Sequence, residues 1–288
     1  MRFILISDTH IGNPRPGYHH QEPLAEPKPL FHALKQFIEK NNVDFICHAG
    51  DIIDNGSRKQ MQLASELFGT LPCQTYAVPG NHDLMFPDSA QWLTEELPAL
   101  FPEGTTDYYL IRDGVRFDFL TCNWNEQSAF WDGTRQDSNF QRKQLDVLNS
   151  GPQDLPRIMI THSPVCGVPK EQTGFPEIYH APPAAFEQSV FPLAAEKHIS
   201  LILGGHNHLN LGVMRSGIGA VTVSAFREMP FEFKLFDISK EKGGQWFCHQ
   251  DGKVVPGSFG DKKHAIKVAA KMNGVTTKEF LKERKKMV

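Results

Sequence analysis

Five short apolar runs in the sequence each end in a block rich in aspartate, histidine or asparagine. The runs have the length and composition of buried strands, and the helical periodicity between them predicts a protein of the α/β class. Open α/β sheets bind their ligands at the carboxyl ends of their strands, so blocks far apart in sequence are expected to meet in space. In chain order, the blocks are Asp8-Thr9-His10, Gly50-Asp51-Ile52-Ile53-Asp54, Gly80-Asn81-His82-Asp83, His162 and Gly205-His206-Asn207-His208.

The rest of the pattern predicts one domain that contains both helices and strands. Two alternating runs flank Asp113-Gly114, a dipeptide typical of tight hairpins. No internal repeat or low-complexity linker interrupts the chain, so we expect a single domain over residues 1–260 and a basic, helical tail over residues 261–288. The predicted elements are strands at residues 3–6, 44–47, 75–78, 108–111, 115–120, 157–161 and 200–203, β alternation at 211–249, and helices at 30–38, 58–69, 88–97, 139–148 and 184–197.

The composition is that of an ordinary globular protein. Hydrophobic residues make up 40% and charged residues 22% of the chain, which excludes the disordered, collagenous and coiled-coil classes. No stretch reaches the ~18 apolar residues of a transmembrane helix, and the short apolar run before Asp8 does not reach the length of a signal peptide core. The five cysteines are widely spaced and form no C-x-x-C pair, which argues against disulfides and against a thiolate zinc site. We therefore expect a cytoplasmic protein without a membrane partner.

The net charge of −3 is unevenly distributed along the chain. The tail at residues 261–288 has nine Lys/Arg and three Asp/Glu, and its charge of +6 leaves −9 on residues 1–260. An acidic body repels polyanions and disfavours nucleic acid as a general partner. A local cationic site supplied by metal ions is compatible with this charge.

The residue types in the blocks suit metal ions such as Mn, Fe or Zn. They offer carboxylates, imidazoles and one amide but no thiolate, which disfavours iron–sulfur and copper(I) sites. The i, i+2 spacing of Asp8-x-His10 and His206-x-His208 directs both side chains to one side of an extended chain. Gly50, Gly80 and Gly205 are expected to let the backbone turn sharply beside an ion. Seven candidate ligands exceed the four of one structural zinc, so we predict a two-metal site with a shared carboxylate. The candidates are Asp8, His10, Asp51, Asn81, His162, His206 and His208.

The ordered set D-x-H, G-D-x-x-D, G-N-H-D, H and G-H-x-H resembles that of the calcineurin-like metallophosphoesterase superfamily. Here the set is complete and spans residues 8 to 208, about two thirds of the chain. The resemblance implies a four-layer α/β/β/α sandwich of two mixed sheets flanked by helices. It also implies an enzyme that hydrolyses phosphoesters with a hydroxide that bridges two divalent or trivalent metal ions.

The resemblance also implies a role for each block. One metal would be held by Asp8, His10, Asp51 and His208, and the second by Asp51, Asn81, His162 and His206, with Asp51 bridging. His82 would be catalytic and would protonate the leaving oxygen or stabilise its charge. An imidazole in that role needs an orienting carboxylate, for which the phosphoprotein phosphatase branch indicates Asp54, with Asp83 the nearer competitor in sequence. Alternatively, Asp83 caps the helix that follows it.

The substrate class depends on the branch of the superfamily that the blocks resemble. Asp54 is followed by Asn55-Gly56 rather than by the Arg-Gly of phosphoprotein phosphatases, and the third block ends in Asp83 rather than in glutamate. The short blocks look more like the bacterial cyclic-nucleotide and glycerophosphodiester phosphodiesterase branch, which predicts a small phosphodiester as substrate. The alternative is a metal-dependent nuclease of the repair-nuclease branch, whose opening resembles residues 7–12. A phosphomonoesterase or a scaffold is less favoured, the scaffold because His82 is present.

Three loops are expected to select the substrate, and they cover residues 11–29, 123–139 and 164–183. The second loop contains Trp124 and the pair Phe130-Trp131. Aromatic rings stack well on nucleobases, and they also pack as lids over active sites, so the sequence leaves both uses open for these residues.

Overall fold

Within the part of the chain that the structure describes, the strands form two mixed β-sheets. The computed structural model describes residues 1–12, 24, 26–124, 130–131, 138–167, 182–229, 231–240 and 246–254, the last range by its backbone alone. The strands are β1 (Arg2–Ile6), β2 (Phe45–His48), β3 (Gln74–Ala77), β4 (Tyr108–Arg112), β5 (Val115–Phe119), β6 (Arg157–Ile160), β7 (Ile199–Gly204), β8 (Leu211–Arg215), β9 (Ile218–Thr222), β10 (Glu232–Lys240) and β11 (Trp246–Val254). The helices are α1 (Lys28–Asn41), α2 (Arg58–Phe68), α3 (Ser89–Glu96), α4 (Arg142–Asn149) and α5 (Ala184–Glu196), and a 3-10 turn covers His82–Leu84.

Parallel strands form a continuous part of each sheet. The first sheet has the order β11-β10-β1-β2-β3. In it, β1, β2 and β3 are parallel, β10 is antiparallel to β1, and β11 is antiparallel to β10. The second sheet has the order β4-β5-β6-β7-β9-β8, in which β5, β6, β7 and β9 are parallel and the edge strands are antiparallel. Because parallel strands end at the same edge, the segments after β1, β2 and β3 share one edge of the first sheet. Those after β6 and β7 share one edge of the second.

A row of phenylalanine rings fills the space between the sheets. Phe3 on β1 is aligned with Phe45 on β2 and Phe236 on β10, and its ring stacks on theirs with centroids 5.2 and 4.9 Å apart. The ring of Phe117, on β5 of the second sheet, meets Phe3 edge-on at 5.4 Å. Burial of such a ring contributes about 1.5–3 kcal/mol. The packing of these rings joins the two sheets into one domain.

Helices cover the outer faces of the two sheets. Phe31 of α1 and Phe68 of α2 meet edge-on at 5.0 Å, and Phe37 of α1 packs on Phe233 of β10 at 4.7 Å. On the second sheet, α5 packs against β7 and β9. The predicted α/β/β/α sandwich is therefore confirmed. Among the described helices, none is both long enough and apolar enough to cross a membrane.

A buried ion triad anchors α4 to the second sheet. Nε of Arg116 and Nε of Arg157 donate to the two carboxylate oxygens of Asp118 at 2.8 and 2.9 Å. The same guanidinium groups donate to the main-chain carbonyl oxygens of Val147 and Leu148, at 2.8 and 3.2 Å, near the C-terminal end of α4. Cations stabilise this end of a helix because its carbonyl groups carry a partial negative charge.

Most element boundaries agree with the sequence prediction to within a few residues. Asp113 and Gly114 have φ angles of 48° and 79°, as a tight hairpin turn of the type I′ requires. The fourth helix begins at Arg142 rather than at residue 139, because Gln141 and Gln144 form a capping box at its start. The domain boundary at residue 260 and the predicted helical tail at residues 261–288 lie outside the described residues.

Candidate metal centre

The five polar blocks meet at the carboxyl ends of β1, β2, β3, β6 and β7. Three of these strands belong to the first sheet and two to the second, so the blocks form a cluster of polar side chains between the ends of the two sheets. Neighbouring ligand atoms within it lie 3.0–3.9 Å apart. The structure brings together all of the sequence-predicted ligands, namely Asp8, His10, Asp51, Asn81, His162, His206 and His208.

One half of the cluster joins Asp8, His10 and His208. Nε2 of His10 lies 3.3 Å from Nε2 of His208, and Oδ1 of Asp8 lies 3.2 Å from the His208 nitrogen and 3.9 Å from the His10 nitrogen. On its other side, Nδ1 of His208 donates a hydrogen bond of 2.5 Å to Oε1 of Glu228. This bond makes Nε2 the nitrogen that His208 presents to the cluster.

The other half joins Asn81, His162 and His206. Oδ1 of Asn81 lies 3.2 Å from Nε2 of His162 and 3.0 Å from Nδ1 of His206, and the two nitrogens are 3.3 Å apart. Nδ1 of His162 donates to the main-chain carbonyl oxygen of Ala49 at 2.6 Å, so Nε2 is the nitrogen that His162 presents to the cluster.

Asp51 lies between the two halves. Its Oδ2 is 3.8 Å from Nε2 of His10 and 3.2 Å from Nε2 of His162. Its Oδ1 accepts a hydrogen bond of 2.9 Å from the main-chain N–H of His82, which fixes the orientation of the carboxylate. A single oxygen therefore faces both halves, which is the position of a bridging ligand.

The geometry and the donor atoms of the cluster suit a pair of cations. Ligand atoms about 2.0–2.1 Å from a tetrahedral ion lie about 3.3 Å from one another. His162 and His208 each use their Nδ1 proton on Ala49 or Glu228, so the nitrogens that face the cluster are the ones able to bind a metal. Oδ1 of Asp8 is buried and accepts no hydrogen bond from the described residues, a cost that a cation would offset.

The carboxylates of the cluster change the protonation of the histidines beside them. Burial opposes the charged imidazole of His162, but Asp51 raises its pKa to about 9. Burial likewise opposes the charged imidazole of His208, but Glu228 and Asp8 raise its pKa to about 10. The cluster therefore favours positive charge, and a metal that binds there must displace protons.

Sharp turns after the strands direct the candidate ligands into the cluster. A left-handed backbone costs a residue other than glycine roughly 1–2 kcal/mol. Gly80 meets a different requirement, since a Cβ at this position would lie 2.1 Å from Oδ1 of Asp51. Five candidate ligands have a left-handed φ, and they are Asp8 at 54°, His10 at 40°, Asp51 at 53°, His206 at 68° and His208 at 52°.

His82 and Asp54 make contact through a different group from the predicted one. Nδ1 of His82 donates to the main-chain carbonyl oxygen of Asp54 at 2.7 Å, and not to its carboxylate. Oδ1 of Asp54 instead lies 3.8 Å from Nδ1 of His10. The expectation of a carboxylate as the partner of His82 Nδ1 is therefore corrected to a peptide carbonyl of the same residue.

Asp83 connects the second block to the third. Its carboxylate accepts hydrogen bonds from the main-chain N–H groups of Ile52, Ile53 and Gly80, at 3.1, 2.9 and 2.8 Å. Burial and then the charge of Asp51 raise the pKa of Asp83 to about 7, against the effect of these donors. The residue thus holds two site loops together, which is a wider role than the predicted helix cap.

Two tryptophans of the second predicted loop lie at the site, Trp124 against the cluster and Trp131 against His82. Trp124 is buried, and its ring lies 5.2 Å from that of His206 and 5.9 Å from that of His162. Trp131 is half-buried, with its ring 5.1 Å from that of His82. Of the other two loops, residues 13–23, 25 and 168–181 lie outside the described residues.

Arg227 and Glu228 contact the cluster and were not among the predicted site residues. Glu228 accepts the hydrogen bond from His208 described above, and Nη1 of Arg227 donates to the main-chain carbonyl oxygen of His10. The signal available in the sequence was a charged pair directly after the apolar run at residues 218–226. Charge in such a position indicates a buried polar contact, but it does not identify the partner.

The match to a known family covers the same blocks. The model of the family described as calcineurin-like phosphoesterase matches residues 1–210, a stretch that contains all five blocks. Among curated proteins, none matches the sequence significantly.

Solved structures share the fold at low sequence identity. A dimetal phosphatase from Danio rerio is 16% identical, with a TM-score of 0.61 over 89% of this chain and 99% of that one. A protein assigned as a 5′-nucleotidase from Staphylococcus aureus is 13% identical, with a TM-score of 0.55, and the match covers 94% of this chain and 58% of that one. GAP50, the anchor in the inner membrane complex of Plasmodium, is 14% identical, with a TM-score of 0.54 and 94% coverage of both chains. At such identities, the likeness establishes the fold alone.

Proposed function

Since the chain belongs to the calcineurin-like phosphoesterase family and is a metal-dependent phosphoester hydrolase, we propose that it hydrolyses small phosphodiesters at a dimetal centre. The observation that carries this proposal is the position of Asp51. Its Oδ2 lies 3.8 Å from a nitrogen of His10 and 3.2 Å from a nitrogen of His162. Two groups of ligands that share one carboxylate oxygen suit two cations at the ~3.5–4 Å spacing of two-metal hydrolases.

Each metal ion in the proposed centre has four protein ligands, and Asp51 is common to both. The carboxylate, imidazole and amide donors suit Mn, Fe or Zn. The first position comprises Asp8, His10, Asp51 and His208, and the second comprises Asp51, Asn81, His162 and His206.

The chain's own part in the reaction is to hold this geometry and to supply a proton. A bound metal pair would activate a water molecule and neutralise charge on the phosphoryl oxygens. The imidazole of His82 lies beside the cluster, with its ring centroid 4.9 Å from that of His10. Because Nδ1 of His82 is bonded to the carbonyl oxygen of Asp54, protonation of the leaving oxygen would use Nε2.

Two features support a small diester over a phosphoprotein or a long polyanion. Asn55 stands where phosphoprotein phosphatases have the arginine that clamps phosphate, so that clamp is missing from the second block. Residues 1–260 carry a net charge of −9, which repels a polyanion, whereas a small diester needs only the local field of the two metals.

The basic tail favours a second candidate function, a metal-dependent nuclease. Residues 261–288 carry a net charge of +6, and cationic segments increase affinity for phosphate backbones. The same metal chemistry would serve either substrate. The two candidates therefore differ in the binding of the substrate and not in the hydrolytic step.

Steady-state kinetics of the Mn(II)-loaded protein test the proposal. We expect kcat/KM for bis-p-nitrophenyl phosphate to exceed that for the matched monoester p-nitrophenyl phosphate by at least about tenfold, a difference of about 1.4 kcal/mol in transition-state stabilisation. Asp51→Asn protein, prepared in the same way, reports the contaminating activity. A preference for the monoester would make the enzyme a phosphomonoesterase. Faster cleavage of single-stranded DNA than of every small diester and cyclic nucleotide would favour the nuclease.

A further inference from the structure

We infer that Arg227 and Glu228 position the two histidines of the first proposed metal position and thereby set its affinity for metal. The inference rests on the proposed dimetal centre. It concerns two residues that follow β9 and lie beyond the stretch at residues 1–210 that the family model matches. Both act through His10 or His208, so they are positioning residues.

Glu228 holds the imidazole of His208 on the side opposite the cluster. Its Oε1 accepts a hydrogen bond of 2.5 Å from Nδ1 of His208, whose Nε2 lies 3.2 Å from Oδ1 of Asp8. Glu228 is 1% exposed, so bulk water has little access to this bond. A buried carboxylate behind an imidazole fixes the orientation of the ring and strengthens the opposite nitrogen as a ligand.

Arg227 holds the main chain of the other histidine. Its Nη1 donates to the carbonyl oxygen of His10, and its Nε donates to the carbonyl oxygen of Leu24 at 2.7 Å. His10 has a φ of 40°, a strained conformation that needs support from its surroundings. The hydrogen bond from the buried guanidinium provides such support directly at the strained residue. Two adjacent residues therefore act on both histidines of one metal position, Glu228 through the imidazole of His208 and Arg227 through the main chain of His10.

The second metal position is supported by other residues. Nδ1 of His162 donates to the carbonyl oxygen of Ala49 at 2.6 Å, and the ring of Trp124 packs 5.2 Å from that of His206. Neither Arg227 nor Glu228 takes part in these contacts. A change at Glu228 is therefore expected to weaken the first position and to leave the second intact.

Metal titration of a Glu228→Gln variant tests the inference. Glutamine keeps the size and an acceptor oxygen but removes the charge, and loss of such a partner lowers metal affinity by about 10–100-fold. Metal-free wild-type protein titrated with Mn(II) in a calorimeter should show two sites. The variant should show one site of wild-type affinity and one weakened by about 10–100-fold. At two equivalents of Mn(II), the electron paramagnetic resonance spectrum should change from that of a coupled pair to that of an isolated ion.

Glu232→Gln is the matched control for the loss of a buried carboxylate. Glu232 lies four residues further along and accepts hydrogen bonds of 2.7 Å from Asn210 and from Ser224, neither of which is a candidate ligand. This variant should bind both metals with wild-type affinity. Glu228→Asp keeps the charge at a shorter reach and should recover part of the lost affinity. It also serves as the test variant if Glu228→Gln does not fold.

A double-mutant comparison assigns the effect to one position. Asp8 belongs to the first position alone, so Glu228→Gln should add little to the loss of affinity in Asp8→Asn. Asn81 belongs to the second position alone, so the effects of Glu228→Gln and Asn81→Ala should add.

The outcomes of the metal titrations distinguish failure of this inference from failure of the proposed dimetal centre. Unchanged affinities at both positions in the Glu228 variants would overturn the inference, and so would an equal loss at both positions. Failure of the wild-type protein to bind two metal ions would instead refute the dimetal proposal.

Discussion

At His82, the two ring nitrogens have different neighbours and different tasks. Nδ1 is bonded to the main-chain carbonyl oxygen of Asp54, and a peptide oxygen is too weak a base to take the proton from an imidazole. The bond therefore fixes the orientation of the ring and makes Nε2 the nitrogen that faces away from Asp54. The carboxylate of the same residue lies near Nδ1 of His10, so Asp54 serves two histidines through two groups.

This geometry predicts that substitutions at His82 and Asp54 have unequal effects. His82→Ala should keep the metals and lose about 10²–10⁴-fold in kcat, and more for diesters with poor leaving groups, as expected for loss of a general acid. Asp54→Asn keeps the carbonyl that holds His82, so at saturating Mn(II) its loss should stay below about tenfold and should not depend on the leaving group. The measurement is kcat across a series of aryl diesters. An equal, leaving-group-dependent loss in both variants would show that the carboxylate orients His82.

At the scale of the elements, the sequence was sufficient to predict β1 to β7, the five described helices and the five blocks, while β8 to β11 were predicted only as β alternation over residues 211–249. Local patterns determine these features, because periodicity reports which face of an element is buried and a polar block marks where a strand ends. The contact between Glu228 and His208 joins residues 20 positions apart, after different strands. No local pattern specifies such a pair, because its formation depends on how the strands are ordered in the sheet. The choice of the Asp54 carbonyl over its carboxylate depends likewise on the path of the backbone.

The ion triad under α4 predicts a large loss of stability on substitution of its acid. Asp118→Asn leaves Arg116 and Arg157 buried without a counter-charge, and removal of one partner from a buried ion pair costs about 3–5 kcal/mol. Urea denaturation should show this loss. Glu95→Gln, which breaks the exposed ion pair between Glu95 and Arg58, is the control and should change stability little. A similar midpoint for both variants would contradict the role assigned to the triad.

Lys234 on β10 predicts a dependence of stability on pH. The residue shares a face of the strand with Phe236, so its side chain points between the sheets, where burial lowers its pKa to about 8 against the effect of Glu232. Between pH 8 and the usual lysine pKa of 10.5, the unfolded chain binds a proton that the folded chain does not, so stability rises with pH over this range. Below pH 8 the ammonium group is charged in both states, and its burial destabilises the fold to the full extent. Lys234→Met should therefore be more stable than the wild type at pH 7, by up to about 3 kcal/mol.

The difference between Lys234→Met and the wild type should shrink as the pH rises from 8 towards 10.5. Urea denaturation of both proteins at pH 7 and at pH 10 measures it. Lys59→Met, on the exposed surface of α2, controls for removal of a lysine as such. A difference that stays constant with pH would contradict the burial of the Lys234 ammonium group.

At the scale of the whole molecule, the separation of charge distinguishes the two candidate functions. A body of −9 and a tail of +6 act in opposite directions on a nucleic acid, while a small diester is affected mainly by the metal centre. Deletion of residues 261–288 should therefore change kcat/KM for bis-p-nitrophenyl phosphate by less than about twofold.

For single-stranded DNA, the same deletion should weaken binding and flatten its dependence on salt, because fewer counterions are released. Titration of both proteins with labelled DNA at several salt concentrations gives this slope. If the intact protein cleaves DNA better than every small diester and the deletion removes that advantage, the nuclease is the correct function.

The left-handed backbone at five candidate ligands has a consequence for how such a chain changes over generations. At each of these positions the fold alone would favour glycine, while the proposed chemistry requires a carboxylate or an imidazole. Selection for catalysis therefore works against selection for stability at the same residues. In a lineage that no longer needs the reaction, substitution of these ligands by glycine would also relieve the backbone strain. Loss of the ligands would then lower the free energy of the folded chain, and their recovery would raise it again.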